Sequence, residues 1–202
     1  MDHYKTLIFD LGNVLISFSH EKMYAQLARL CEMPTAAIKE LFQESRVGMQ
    51  YERGLVSSAE IHSLLQETSG KDLSYTEVLE AGSDIFTPRP DMVDLIKILK
   101  KQGYHLLLLS NTNEAHYQFI DKQFGLFDLF HHLILSFEIG AVKPERAIFE
   151  EVLKHAHCPP HACYYTDDIP EYVQAAEKWG IKGHVFQSPA LLLEDLHRNR
   201  II

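Results

Sequence analysis

The stretch TLIFDLGNV, residues 6–14, starts as a strand and stops at an aspartate. Thr6–Phe9 is continuously apolar or β-branched rather than alternating, as expected of a strand buried on both faces of a parallel sheet. Four more runs share that character: His105–Leu109, Leu133–Ser136, Cys163–Thr166 and Gly183–Phe186. Between them lie helical periods. Met92, Leu95, Ile96 and Leu99 follow the i, i+3, i+4, i+7 rule, with Gly103 as a stop. Ile148, Phe149, Val152 and Leu153 form a second such face behind Pro144, which is placed in the first turn. Val173 and Ala176, ahead of Gly180, mark a third. Strand–helix alternation of this kind predicts an α/β fold, a Rossmann-like parallel sheet with helices on both faces.

From about Phe18 to Phe86 the rhythm changes to helices without strands. Met23, Leu27 and Leu30 share one face, and Ile38, Leu41 and Phe42 another. Ser57-Ser58-Ala59-Glu60 reads as a capping box that starts a helix running through Leu65. Ser69-Gly70-Lys71-Asp72 is a turn, and Val78 and Leu79 lie on a following helix. Thr87-Pro88-Arg89-Pro90 is too stiff to be a central strand. These patterns predict a small all-helical cap, residues 19–86, inserted after the first strand. The core is then residues 1–18 and 87–202.

The chain has 202 residues, 46% hydrophobic and 23% charged, and a formal charge of -9. That charge argues against nucleic acid as a partner, because phosphate backbones require clustered Lys and Arg. No apolar run approaches the 18 or so residues of a membrane span. The opening Met1-Asp2-His3-Tyr4-Lys5 lacks the basic-then-apolar form of a secretory leader. Three cysteines, Cys31, Cys158 and Cys163, do not make a disulfide framework, so a cytoplasmic setting is expected. No feature sets an oligomeric state.

In an open parallel sheet, ligands sit beyond the carboxyl ends of the strands. The first run ends in Asp10 and the second in Ser110-Asn111-Thr112, with Thr112 or Asn113 capping the next helix. Past the third and Gly140 comes Lys143-Pro144, and the fourth ends in Asp167-Asp168. One rim thus receives a carboxylate, a hydroxyl, an ammonium and a carboxylate pair. In these residues the chain resembles the haloacid dehalogenase superfamily of hydrolases, most of which are phosphatases. All four motifs of that superfamily occur in order: Asp10 in FDLGNV, Ser110 in LLLLSNT, Lys143 in AVKPE and the pair in YYTDDIPEY. The resemblance covers essentially the whole chain. The DLGNV form with a short cap is also similar to bacterial sugar-1-phosphate phosphatases.

Clustered carboxylates repel one another without a positive charge among them, and oxygen donors without His or Cys suit Mg²⁺. The resemblance implies a metal site at the Asp10 side chain, the Gly12 carbonyl and Asp168, with Asp167 bound directly or through water. It makes Asp10 the nucleophile that forms an aspartyl-phosphate, Ser110 and the Asn111 N–H the phosphoryl ligands, and Lys143 the counter-charge. Tyr51, Glu52 and Arg53 are placed in a cap loop, with Tyr51 and Arg53 reaching substrate. The expected activity is hydrolysis of a small phosphorylated metabolite. Two alternatives stand beside it: a metal-independent 2-haloacid dehalogenase, and a non-catalytic phosphate-binding regulator. The chain departs from the superfamily at Gly12, where most members carry the aspartate that serves as general acid–base. Tyr172 is a second departure, at a place where members often have Asn or Asp. Separately, His155, His157, Cys158, His161 and Cys163 have zinc-ligand chemistry, but their spacing matches no finger.

Overall fold

The computed structural model describes residues 4–43 and 46–202. The first three residues, part of the opening read for a leader, lie outside it. Five parallel strands form the main sheet: β1 (Thr6–Phe9), β4 (His105–Ser110), β5 (His132–Leu135), β6 (Cys163–Asp167) and β7 (Lys182–Val185), in the order β5-β4-β1-β6-β7. Both strand faces are apolar, and each meets its own layer. Leu7, Phe9, Leu106, Leu108 and Tyr164 point into one core with Met92, Ile96 and Leu99 of α6 (Pro90–Lys101). Ile120 of α7 (Glu114–Phe124) and Leu192 and Leu196 of α11 (Pro189–Arg198) complete that core. Ile8, Leu107, Leu109 and Tyr165 point the other way, against Ile148, Phe149 and Val152 of α9 (Arg146–His155). Ala175 and Ala176 of α10 (Pro170–Glu177) lie on this second side. This two-sided burial is why the strands read as continuous apolar runs.

The helices that break the rhythm are α1 (His20–Cys31), α2 (Thr35–Gln43), α3 (Val47–Glu52), α4 (Ser58–Ser69) and α5 (Tyr75–Ser83). They share a third core built on Leu27, Ile38, Leu65 and Val78. Ser57 and Glu60 form the capping box at the start of α4. A short antiparallel ribbon, β2 (Ile16–Phe18) with β3 (Phe86–Pro88), carries these helices on the main sheet. The sequence predicts no strand there. A two-stranded ribbon has only edges, so it admits Pro88, which has no N–H to donate.

Two further details differ from the sequence reading. Helix α9 begins at Arg146, and Pro144 lies in the turn before it. Glu145 stays extended there because its carboxylate takes the Val142 N–H at 3.2 Å and pairs with Arg53. The segment holding Tyr51 and Glu52 is helix α3 rather than loop, with Arg53 as its C-cap. Among the described residues, no helix is long and apolar enough to cross a membrane.

Candidate active site

Strand order alone brings three motifs together. β4 and β6 both pair with β1, setting Leu108 and Thr166 beside Phe9. Their ends therefore place Ser110, Asp10 and Asp167 side by side, and the Asp10 N–H donates to the Thr166 carbonyl at 3.0 Å. Lys143 arrives from the loop after α8 (Ser136–Ile139). Its Nζ lies 2.7 Å from Asp10 Oδ1 and 2.6 Å from Asp167 Oδ2, and its side chain is 2% exposed. A third contact, 3.3 Å to the Leu109 carbonyl, uses its last donor.

The carboxylates are not equivalent. Asp167 is fully buried and committed: it accepts from Lys143, from the Tyr165 hydroxyl and from the Ile169 N–H at 2.8 Å. The last bond also satisfies a donor where α10 begins. Asp168 is only partly buried and accepts from Asn13 Nδ2 at 3.0 Å. Asn13 sits at φ +54°, a left-handed conformation that asparagine tolerates. Carboxylate oxygens of Asp10, Asp167 and Asp168 all lie within 4.8 Å of one another.

One ammonium among three carboxylates leaves an excess of negative charge. Burial pushes the Asp10 carboxyl up to about 7, with the Asp167 charge adding to the rise and Lys143 opposing it. Burial alone would lower Lys143, but Asp10 and Asp167 outweigh it and hold the ammonium above its ordinary range. A site with this imbalance and only oxygen donors fits a small hard cation, and Mg²⁺ suits it. The His and Cys residues of 155–163 do not compete for this role. Among the described residues, only the aspartate trio brings three or more metal-ligand atoms together.

Several side-chain contacts that support the site carry no sequence signal of their own. Asn111 accepts the Lys143 N–H on Oδ1 at 2.7 Å and donates from Nδ2 to the Lys143 carbonyl at 3.2 Å, fixing that peptide from both sides. The Tyr172 ring lies 5.1 Å from Lys143 Nζ, and its hydroxyl is 3.5 Å from Asn111 Nδ2. Ser136, fully buried, accepts the Thr112 N–H at 2.9 Å and donates to the Glu52 carbonyl at 2.6 Å. It joins the Ser110 loop to α3. Tyr165 looked like a strand residue only, since its partner lies two places along the same strand.

Of the remaining sequence candidates, Ser110 and Gly12 lie on the same rim, and Tyr51 and Arg53 lie in the insert beside it. Ser110 is buried, and its hydroxyl has one long bond, 3.4 Å to the Asn111 carbonyl. Gly12 has an ordinary φ, but a Cβ there would lie 2.9 Å from the Phe18 ring. Arg53 makes a two-pronged pair with Glu145, one bond at 3.1 Å, and Tyr51 shares a 2.7 Å hydrogen bond with Ser58. Both line a cavity of about 580 Å³, with Met23, Leu27 and Ile61 on its insert side and Asn111 and Lys143 on its core side.

A family model described as haloacid dehalogenase-like hydrolase matches residues 4–180. The chain belongs to the haloacid dehalogenase-like hydrolases. It is 25% identical over 185 residues to a D-ribitol-5-phosphate phosphatase of Bacteroides thetaiotaomicron, covering 88% of this chain and 89% of that one. Identity to a sesquiterpene phosphatase of Aspergillus oryzae is 25% over 193 residues, 95% and 94% of the two chains. Among solved structures, a haloacid dehalogenase family enzyme of B. thetaiotaomicron in complex with magnesium and inorganic phosphate superposes with a TM-score of 0.81. Identity is 29%, over 91% of this chain and 94% of that one.

Proposed function

We propose that this hydrolase is a Mg²⁺-dependent phosphatase of a small phosphorylated metabolite. The observation that carries the reading is the aspartate trio around Lys143. A metal-free dehalogenase has no use for the carboxylate pair Asp167-Asp168 gathered beside the nucleophile. The relatives named as phosphatases, and the related enzyme solved with magnesium and phosphate, agree with it. Sugar or polyol phosphates, including sugar 1-phosphates, are the first substrates to try. Three free cysteines, Cys31, Cys158 and Cys163, accord with a cytoplasmic setting.

In this reading an Asp10 carboxylate oxygen attacks phosphorus, the ester P–O bond breaks, and water hydrolyses the aspartyl-phosphate. Lys143, held by the Asn111 clamp, offsets charge on Asp10 and the phosphoryl group. The Ser110 hydroxyl and Asn111 N–H hold phosphoryl oxygens. Asp10, the Gly12 carbonyl and Asp168 would hold Mg²⁺, with Asp167 anchoring Lys143 and acting through water. The cation, when bound, supplies charge stabilisation for the transferring phosphoryl group. Residues 19–86 act as a cap over the core of residues 1–18 and 87–202, with Tyr51 and Arg53 in the wall of the cavity between them.

The test is turnover of p-nitrophenyl phosphate with Mg²⁺ and with chelator. Wild type is expected to require Mg²⁺, and Asp10→Asn to fold normally with under about 1% of the rate, since one nucleophile carries the step. Equal rates in chelator, or substantial turnover by Asp10→Asn, overturns the reading.

A further inference from the structure

The site contains an attacking group, a counter-charge and donors for a cation, yet no proton source for the departing oxygen. Position 12 cannot supply one, because Gly12 has no side chain and the Phe18 ring fills the space where one would start. The cavity of about 580 Å³ meets a small recess of about 80 Å³ above Gly12 and Ser110. Four residues line both: His20, Glu52, Asn111 and His116. This junction gives a leaving group on a phosphoryl group at Ser110 a path into the larger cavity.

Three of the four are unsuited to deliver a proton. Asn111 does not titrate, and its amide is committed to Lys143. His116 is tied to the Gly82 carbonyl at 3.1 Å and to the Asn113 side chain at 3.1 Å. The His20 ring packs against Phe18 and Tyr24 with centroids 5.0 and 6.1 Å apart, and burial lowers its pKa. Glu52 is different. Its backbone is pinned by the 2.6 Å bond from Ser136, and its carboxyl enters no ion pair among the described residues.

We propose that Glu52 protonates the leaving oxygen and then serves as base for the hydrolytic water, replacing an acid that position 12 does not carry. As the P–O ester bond breaks, its electron pair goes to the leaving oxygen, which takes the Glu52 proton. Glu52 carboxylate then accepts a proton from the water that attacks the aspartyl-phosphate, restoring both groups. The charged and titratable groups facing Glu52 are Lys143 and Tyr172 from the core, with His20 and His116 across the recess. Arg53, the next residue, is occupied by Glu145. Burial raises the Glu52 carboxyl above its ordinary range, with Lys143 opposing, which favours the protonated form a donor needs.

The role rests on the phosphatase reading, and one experiment separates the two. Wild type, Glu52→Gln and Glu52→Asp are assayed with Mg²⁺ on an alkyl phosphate and on p-nitrophenyl phosphate across pH. A positioned acid contributes about 10²–10⁴-fold where the leaving group is poor. Glu52→Gln is therefore expected to lose about 10²-fold or more on the alkyl ester and much less on the aryl ester. It should also lose the alkaline limb of the kcat/KM profile, with partial recovery in Glu52→Asp. Equal losses on both esters, or an unchanged pH profile, overturns the role of Glu52 while leaving the phosphatase intact. Wild type inert toward both esters overturns the phosphatase reading and the role together.

Discussion

Asp167 and Asp168 are neighbours in sequence with different work to do. Asp167 holds Lys143, the Tyr165 hydroxyl and the Ile169 N–H in a buried cluster. Removing it leaves an ammonium with one carboxylate and a buried hydroxyl with none, and breaking a buried pair costs about 3–5 kcal/mol. Asp168 has one bond, from Asn13, and is only partly buried. Asp167→Ala is therefore expected to lose much of its stability in urea melts. Asp168→Ala should melt close to wild type but need far more Mg²⁺ for half-maximal rate. The reverse pattern would mean that Asp167 is the principal ligand and Asp168 the structural one. Tyr165 shows the limit of reading such a site from residue types. Nothing in an apolar strand says that its hydroxyl is spent on a carboxylate; burial first, and then the Asp167 charge beside it, drives its pKa well above the usual phenol range.

At the scale of elements, the seam between the helical insert and the core depends on two adjacent residues of different weight. Arg53–Glu145 ties the end of α3 to the turn that carries Lys143, and both side chains are partly exposed, 25% and 38%. Such a pair contributes under about 1 kcal/mol. Gly54 has φ +66° and approaches so closely that a Cβ would lie 2.1 Å from the Phe137 carbonyl oxygen. Arg53→Ala is expected to melt nearly as wild type and to raise KM severalfold as the insert sits less firmly. Gly54→Ala should cost about 2 kcal/mol or more through strain and backbone collision, with activity lost on every substrate. Comparable melts for the two variants would contradict this division. The sheet was readable from sequence because two-sided burial writes itself as apolar runs, and the four motif residues because each ends such a run or the loop after it. The β2–β3 ribbon was not, since three-residue strands containing proline carry no period. Tyr51, Glu52 and Arg53 were read as loop because α3, six residues long, is too short to show a helical period. The clamp of Asn111 on Lys143 and the bridge of Ser136 to Glu52 join positions 32 and 84 residues apart, a relation that no local pattern encodes.

For the whole molecule, acid should act first where the insert and core are joined by His116. The Asn113 side-chain oxygen accepts the His116 backbone N–H at 3.0 Å, so its Nδ2 donor faces His116 Nδ1 at 3.1 Å. Nδ1 must then be an acceptor, and Nε2 carries the hydrogen given to the Gly82 carbonyl of α5. This arrangement admits only the neutral ring, and burial holds its pKa down at about 4. A histidine whose folded pKa lies below its unfolded value of 6.5 contributes stability above pH 6.5, and that stability is lost as pH falls toward 4. At about 1.4 kcal/mol per pH unit, full titration is worth about 3 kcal/mol, a large share of a typical domain's stability. His105 and His132 are lowered in the same direction, each chiefly by burial. Asp10 and Glu52 are raised, so in this window they favour the fold as pH falls and partly offset the histidines. Mg²⁺ bound at Asp10 as proposed would keep it ionised and remove its share of that offset. Urea midpoints of wild type are therefore expected to fall between pH 7 and 5, more steeply with Mg²⁺ than with chelator. His116→Gln, which can still donate to Gly82 but cannot become a cation, should start lower at pH 7 and show a flatter profile. A wild-type midpoint that stays level to pH 5, or a His116→Gln profile as steep as wild type, would remove His116 as the origin of acid sensitivity.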